Sequence, residues 1–361
     1  MRLMLSAATW VLLGLCASAP ALAAEATKTI KLQLPAGVSG PVAVENLVGT
    51  MRVVPAGGGE LSAIAVVHAE SEELAGQVRF EQVEGEHGEP TLRVRYPLER
   101  YPTIRYPSGS VVGAFVGFFL GGGTEVRYDG SKARINSLEG AVLYADVEVQ
   151  VPDRAGQVTF INHVGLIRAE QVAGRLDFES GSGGISLEKV RGELSADSGS
   201  GDIKAADLEG SFGCDTGSGD CELTGFQGHE ISCDTGSGDI TLLSVDSDSI
   251  AADSGSGDIR VAASEVGKFE GDTGSGRIEL HTRSARLTRV SATTGSGDVI
   301  LNLGPEAGFE ATIEAGSGKL VSGYADAEPI VEDGEVIGYR RGDRRIQIDV
   351  DTDSGDLSLG P

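Results

Sequence analysis

Aromatic side chains are scarce in this chain, and tryptophan is scarcest. Phe, Trp and Tyr make up 5% of 361 residues, and the one tryptophan, Trp10, lies in a leader-like stretch. Sugar-binding clefts rely on aromatic stacking, so the shortage argues against a lectin. Beyond residue 23 there is no run of eighteen apolar residues, so no membrane-spanning helix is expected. Positive charge is also in short supply: 29 Lys and Arg face 54 Asp and Glu, for a net charge of −25. Such a surface repels nucleic acid and anionic lipid at long range and favours cations, basic partners or plain solubility.

Catalytic constellations are missing as well. The five histidines, His68, His87, His163, His229 and His281, hold no recurrent position. Strings of the Gly-x-Ser-x-Gly kind can be forced from the glycine-rich half, but a nucleophile elbow needs a strand, turn and helix that this pattern lacks. A zinc site from Cys221 and His229 lacks Cys-x-x-Cys spacing. No residue is assigned a catalytic, cofactor-binding or metal-ligating role, and no cofactor is expected.

What is present begins with a leader. Arg2, an apolar stretch over 3 to 15 and the small-x-small site Ala21-Leu22-Ala23 predict a signal peptide over 1–23 and an exported protein, in the periplasm or on the outer cell surface. Leu15 before Cys16 is too large for a lipid-modification site. Residues 24–95 read as an N-terminal β region, with alternation in Ile30-Lys31-Leu32-Gln33-Leu34 and Leu92-Arg93-Val94-Arg95. Inside it, Val44-Glu45-Asn46-Leu47-Val48-Gly49-Thr50-Met51-Arg52-Val53 resembles Phe160-Ile161-Asn162-His163-Val164-Gly165-Leu166-Ile167-Arg168-Ala169. Both look like degenerate repeat units, which makes residues 40 to 56 an early coil.

Residues 96–135 form an insertion. Arg-Tyr-Pro stands three times at five-residue spacing, starting at Arg95, Arg100 and Arg105, and proline at that density predicts an extended loop or edge. The apolar run Val111 to Leu120 is too short to span a bilayer as a helix. It reads as a cap over an open end or as an exposed patch for a partner.

From 136 to 361 the chain is regular. Gly165, Gly183, Gly201, Gly219, Gly238, Gly257, Gly276, Gly297, Gly318 and Gly355 follow one another at intervals of 18, 18, 18, 19, 19, 19, 21, 21 and 37. A period of that size predicts an all-β fold: a single-chain β-solenoid of about ten 18-21-residue coils, in which each unit buries its apolar face on a neighbour. Two strands per coil fit the alternation after Ile203, with Ile203, Ala205, Leu208, Phe212, Cys214, Thr216 and Ser218 inward. The last interval implies an inserted hairpin near 325–345 with an Asp333-Gly334 turn, followed by the basic cluster Arg340 to Arg345. Its Arg341-Gly342-Asp343 is treated as a chance tripeptide.

Stacking turns repeated residues into columns about 4.8 Å apart. Ile185, Ile203, Cys221, Ile240, Ile259, Ile278, Val299 and Leu320 form the core column. Ser198, Thr216, Thr235, Ser254, Thr273 and Thr294 form a hydroxyl column that hydrogen-bonds up the stack, and the glycines beside Ser200 supply a tight corner, positive φ included. Two acidic columns flank the corner: Asp197, Asp215, Asp234, Asp253 and Asp272, then Asp202, Asp220, Asp239, Asp258 and Asp298. Unit charges at that spacing repel by roughly 0.9 kcal/mol per pair in water. Backbone amides of the turn are the expected offset, in preference to calcium between coils. Cys214 and Cys233 share a column, as small buried hydrophobes or as a disulfide.

With the leader, the Asn-x-Val-Gly units, the Ser/Thr-Gly-Ser-Gly-Asp-Ile coils and the closing Ile346 to Leu357, the chain resembles the bacterial putative-adhesin β-solenoid family, an exported domain of unknown function. The resemblance covers about 136 to 361 and implies the fold and an envelope location. The expectation is a non-enzymatic exported scaffold or adhesin-like binding protein with an envelope or surface partner, and with end-to-end or patch-mediated self-association open to it. The alternative is a carbohydrate-active enzyme on a β-helix.

Overall fold

Strand pairing repeats the sequence period. In the computed structural model, which describes residues 26–34, 40–85, 88–106, 123–153 and 155–361, parallel strands stack with offsets of 18 or 19 residues: Ile185 pairs with Ile203, Ile203 with Cys221, Cys221 with Ile240 and Ile240 with Ile259. The leader and the apolar run 111–120 lie outside the described residues. The protein is all-β, an open sheet of many strands with solenoid-like stacking.

Each coil turns at a Gly-Ser-Gly corner, for example between Arg191–Ser198 and Ile203–Thr216. The strands Ile203–Thr216, Cys221–Thr235, Ile240–Ser254 and Ile259–Thr273 run unbroken through the opposite bend. Two separate strands per coil were expected there. The chain instead turns while keeping its ladder, with positive φ at Asp207 and Ser244. Ile203, Ala205, Leu208, Phe212, Cys214 and Thr216 are buried as expected, but Ser218 is exposed because the chain has already entered the corner. The corner glycines are needed for space, not for φ. A Cβ on Gly201 would strike the Gly183 carbonyl of the coil below.

The early unit joins the same stack. Val42–Val48 pairs in parallel with Gln157–Val164, setting Asn46 opposite Asn162, and Met51–Pro55 pairs with Ile167–Glu170, setting Met51 opposite Ile167. Antiparallel strands finish this end. Ala26–Gln33 pairs with Ser62–Ala69, which pairs with Ala141–Val151 beside Met51–Pro55. The hairpin Arg79–Glu84 with Pro90–Arg95 attaches to Val42–Val48. A single helical turn and a half, Glu72–Gln77, is capped by Ser71, whose Oγ accepts the Leu74 amide. It is too short for its period to be visible in sequence.

At the other end the order of coils departs from the order of the chain. Ile346–Thr352 and Leu357–Gly360 stack directly on Arg289–Thr294 and Val299–Asn302. Phe309–Ala315 and Leu320–Ser322 then stack outside them. The core column therefore runs Val299, Leu357, Leu320, so Leu320 does not follow Val299. The hairpin Glu328–Glu332 with Glu335–Arg341 turns at Asp333 and Gly334, both at positive φ, and lays its second strand antiparallel on Phe309–Ala315.

Candidate functional site

The corner is one device copied from coil to coil. Thr235 Oγ1 accepts the Gly238 amide of its own corner at 3.0 Å and donates to the Gly219 carbonyl of the previous corner at 3.0 Å. Thr216, Ser254 and Thr273 do the same, with both distances between 2.8 and 3.1 Å. The hydroxyls therefore hydrogen-bond along the stack as expected, through backbone groups of neighbouring corners. Each of these four hydroxyls satisfies one donor and one acceptor of the backbone, which makes a polar residue acceptable inside the coil.

The two acidic columns separate in kind. Asp202 Oδ1 accepts the Asp220 amide at 3.2 Å, Asp220 Oδ1 the Asp239 amide at 2.9 Å, and Asp239 Oδ1 the Asp258 amide at 2.9 Å. Amides thus offset this charge, but they come from the next coil, not from the carboxylate's own turn. The other column has no such offset. Asp197, Asp215, Asp234, Asp253 and Asp272 are exposed, in register, and without a side-chain partner among the described residues. Desolvation and then the neighbouring carboxylates push Asp197, Asp234 and Asp253 above the ordinary aspartate value. Beside this column, Ser195, Gly213 and Ser232 line a shallow groove of about 590 Å³ together with Glu193, Glu230 and Arg175.

The histidines are dispersed. His163 meets Glu45 at 3.0 Å, His68 meets Asp146 at 3.2 Å, and His229 meets Asp248 at 3.0 Å on the surface. His281 bonds Asn302, and His87 lies outside the described residues. The structure does not join His229 to Cys221. Cys221 is instead bonded to Cys214 across the coil interior, and Cys233 is a buried free thiol. The column left Cys214 and Cys233 open as small buried hydrophobes or as a bridged pair; they are not bridged to each other, and Cys233 is the buried thiol. After the corner, the Cys221 side chain returns to the same interior point.

The basic cluster is absorbed into the end of the stack. Arg340 pairs with Glu328, Arg344 with Glu310, and Arg341 with Asp326 at 2.6 Å while lying over the Tyr324 ring. Arg341 thus holds the hairpin down.

Sequence reasoning missed a second polar cluster, at the junction of the early coil and the N-terminal region. Arg93 donates to Glu45 at 2.6 Å and to Asp129 at 3.1 Å. Burial pushes the Glu45 carboxyl up, and the bonds from His163 and Arg93 outweigh it and leave it below its ordinary range. Asn46 donates to Asn162, and the buried Tyr96 hydroxyl donates to Asn46 at 2.8 Å. Between Tyr96 and Tyr106 the backbone of the Arg-Tyr-Pro segment is loop and turn apart from the short strand Thr103–Arg105, and the Tyr96 and Tyr106 side chains are buried as core anchors. Arg95 and Arg100 face a cleft of about 420 Å³ with Arg79, Glu99 and Asp129. The matched spacing of Asn46 and Asn162 was the one sequence signal for this cluster.

Among the described residues no helix is long and apolar enough to cross a membrane. Residues 210–360 match the family model described as Toastrack DUF4097. No curated protein matches the chain. Similar solved structures include a putative adhesin from Parabacteroides distasonis, with 11% identity over 93% of this chain and 98% of that chain and a TM-score of 0.42. A putative lipid binding protein from the same species has 12% identity over 92% and 97%, with a TM-score of 0.41. A putative adhesin from Bacteroides fragilis has 9% identity over 92% and 97%, with a TM-score of 0.38.

Proposed function

We propose that this protein, whose residues 210–360 match the Toastrack DUF4097 family model, is an exported, non-enzymatic envelope scaffold, a β-solenoid of about ten coils that binds a positively charged partner along one face. The observation that carries this reading is the contrast between the two acidic columns. Evenly spaced carboxylates repel, and a fold that only needed solubility could scatter them. One column is offset by backbone amides. The other, Asp197 to Asp272, is left open beside a groove, so its cost to folding is balanced by a use outside folding. Near-equal copies down a column suit an extended contact. A catalytic carboxylate is normally singular.

The test is a variant carrying Asp215→Asn, Asp234→Asn and Asp253→Asn. It should fold at least as well as the parent and leave a polylysine surface at lower salt than a control carrying Glu332→Gln, Asp333→Asn and Glu335→Gln, which removes the same charge away from the column. Equal retention of variant and control would end the reading. Turnover of a polysaccharide that is lost on replacing one aspartate alone would replace it with the enzyme.

A further inference from the structure

After residue 23 the chain has three cysteines, and all three meet at one point. The sulfurs of Cys214, Cys221 and Cys233 lie within 4.8 Å of one another, and each residue is buried. Cys214 and Cys221 form the disulfide, across the interior of one coil. Cys233 belongs to the next coil, in register on Cys214, and its Sγ is 3.5 Å from that of Cys221.

Three converging sulfurs suit either a soft metal ion or sulfur exchange, and the surroundings decide between them. The neighbours in the two columns are Ala196 and Ala252 on one side and Ile203 and Ile240 on the other, all buried and uncharged. Three thiolates around a monovalent or divalent ion would leave net negative charge in that core with no counter-charge. Burial pushes the Cys233 thiol up to about 12, in keeping with a site that disfavours thiolates. Exchange holds at most one transient thiolate and begins and ends neutral.

We propose that Cys214, Cys221 and Cys233 form a thiol–disulfide exchange centre, in which one bridge moves between Cys214–Cys221 and Cys221–Cys233. The Cys233 sulfur, having lost its proton, attacks Cys221 Sγ. The Cys221–Cys233 bond forms as the Cys214–Cys221 bond breaks, and the electron pair leaves on the Cys214 sulfur, which takes up a proton. The count of thiols and disulfides is unchanged, so no oxidant or reductant is consumed. The first bridge closes one corner within a coil. The second joins the two ends of the strand Cys221–Thr235, closing the long arc of the turn where the first closes the short one.

The test is disulfide mapping of residues 24–361, which leave Cys16 behind with the leader, after oxidative folding and with free thiols alkylated under acid quench. Cys214→Ala is the informative variant, because Ala196 and Ala252 already occupy that column. It should contain the Cys221–Cys233 bridge and no alkylated cysteine. In the parent protein held at pH 7, 8 and 9, both bridges should appear, with the approach to equilibrium about tenfold faster per pH unit because only the thiolate attacks. Cys233→Ala should hold Cys214–Cys221 at every time. The proposal is overturned if the folded Cys214→Ala variant has two alkylatable thiols, or if the parent shows Cys214–Cys221 alone at every pH and time.

Discussion

The stacked coils and the N-terminal junction bury polar groups by opposite means. In the coils one short-range device, a hydroxyl between two corner backbones, is copied at almost every rung. At the junction the polar groups are single: Glu45 with Arg93 and His163, Asp146 with Thr50 and His68, Asn46 with Asn162 and Tyr96. A copied device spreads its cost, so loss of one copy leaves the others intact. A one-off cluster concentrates it, since each member has no replacement.

The largest expected effect is therefore at Glu45. Its side chain is 9% exposed and that of Arg93 17%. Glu45→Ala removes the nearer of the two carboxylates on a largely buried guanidinium, leaves Arg93 to Asp129 alone, and should cost about 3 kcal/mol of stability in urea unfolding, the lower part of the range for breaking a buried pair. Glu45→Gln with Arg93→Met, which removes both charges, should recover most of that loss. A cost for Glu45→Ala no larger than that of a corner hydroxyl would dissolve the contrast between the two regions.

The intermediate effect sharpens the idea of a copied device. Thr235→Val keeps shape and β-branching but leaves the Gly219 carbonyl and the Gly238 amide unpaired, at about 2 kcal/mol. Thr216→Val should cost the same to within about 0.5 kcal/mol, because its two partners are the equivalent groups one coil earlier. Unequal costs measured by the same urea titration would mean that the rungs are not interchangeable.

Legibility followed the same divide. The corner, the core column and the acidic columns could be read because each recurs, so that spacing alone reports stacking. The Glu45 cluster could not, since Glu45 and His163 are 118 residues apart and neither type recurs there. The place of the last coil was hidden for the opposite reason. Asp353-Ser354-Gly355-Asp356-Leu357 carries the common motif, and a motif that fits any rung does not say which rung it takes. The Cys214–Cys221 bridge was missed because column reasoning pairs residues up the stack, while a side chain just after a corner points back across it.

The smallest effect separates the regions by sign. Glu45 and Asp146 are held below their ordinary values of 4.5 and 3.8: burial raises both, and hydrogen bonds from His163 and Arg93, and from His68 and Thr50, outweigh it. The stability they contribute is present above those values and is lost as pH falls through the folded ones. Asp197, Asp234 and Asp253 are shifted the other way, by desolvation and then by neighbouring aspartates. Their folded state binds protons more readily than the unfolded chain, so they destabilise the fold at neutral pH, and this relaxes as pH falls from the raised values towards 3.8. Asp234→Asn should therefore raise stability at pH 7 by a few tenths of a kcal/mol, since the column is exposed and screened. The gain should shrink in high salt and vanish below the ordinary aspartate value, where the parent is already neutral. Paired melts of parent and variant across pH 3 to 7, with and without added salt, read this directly. A variant less stable than its parent at neutral pH would mean that the open column holds the coils together through a bound cation.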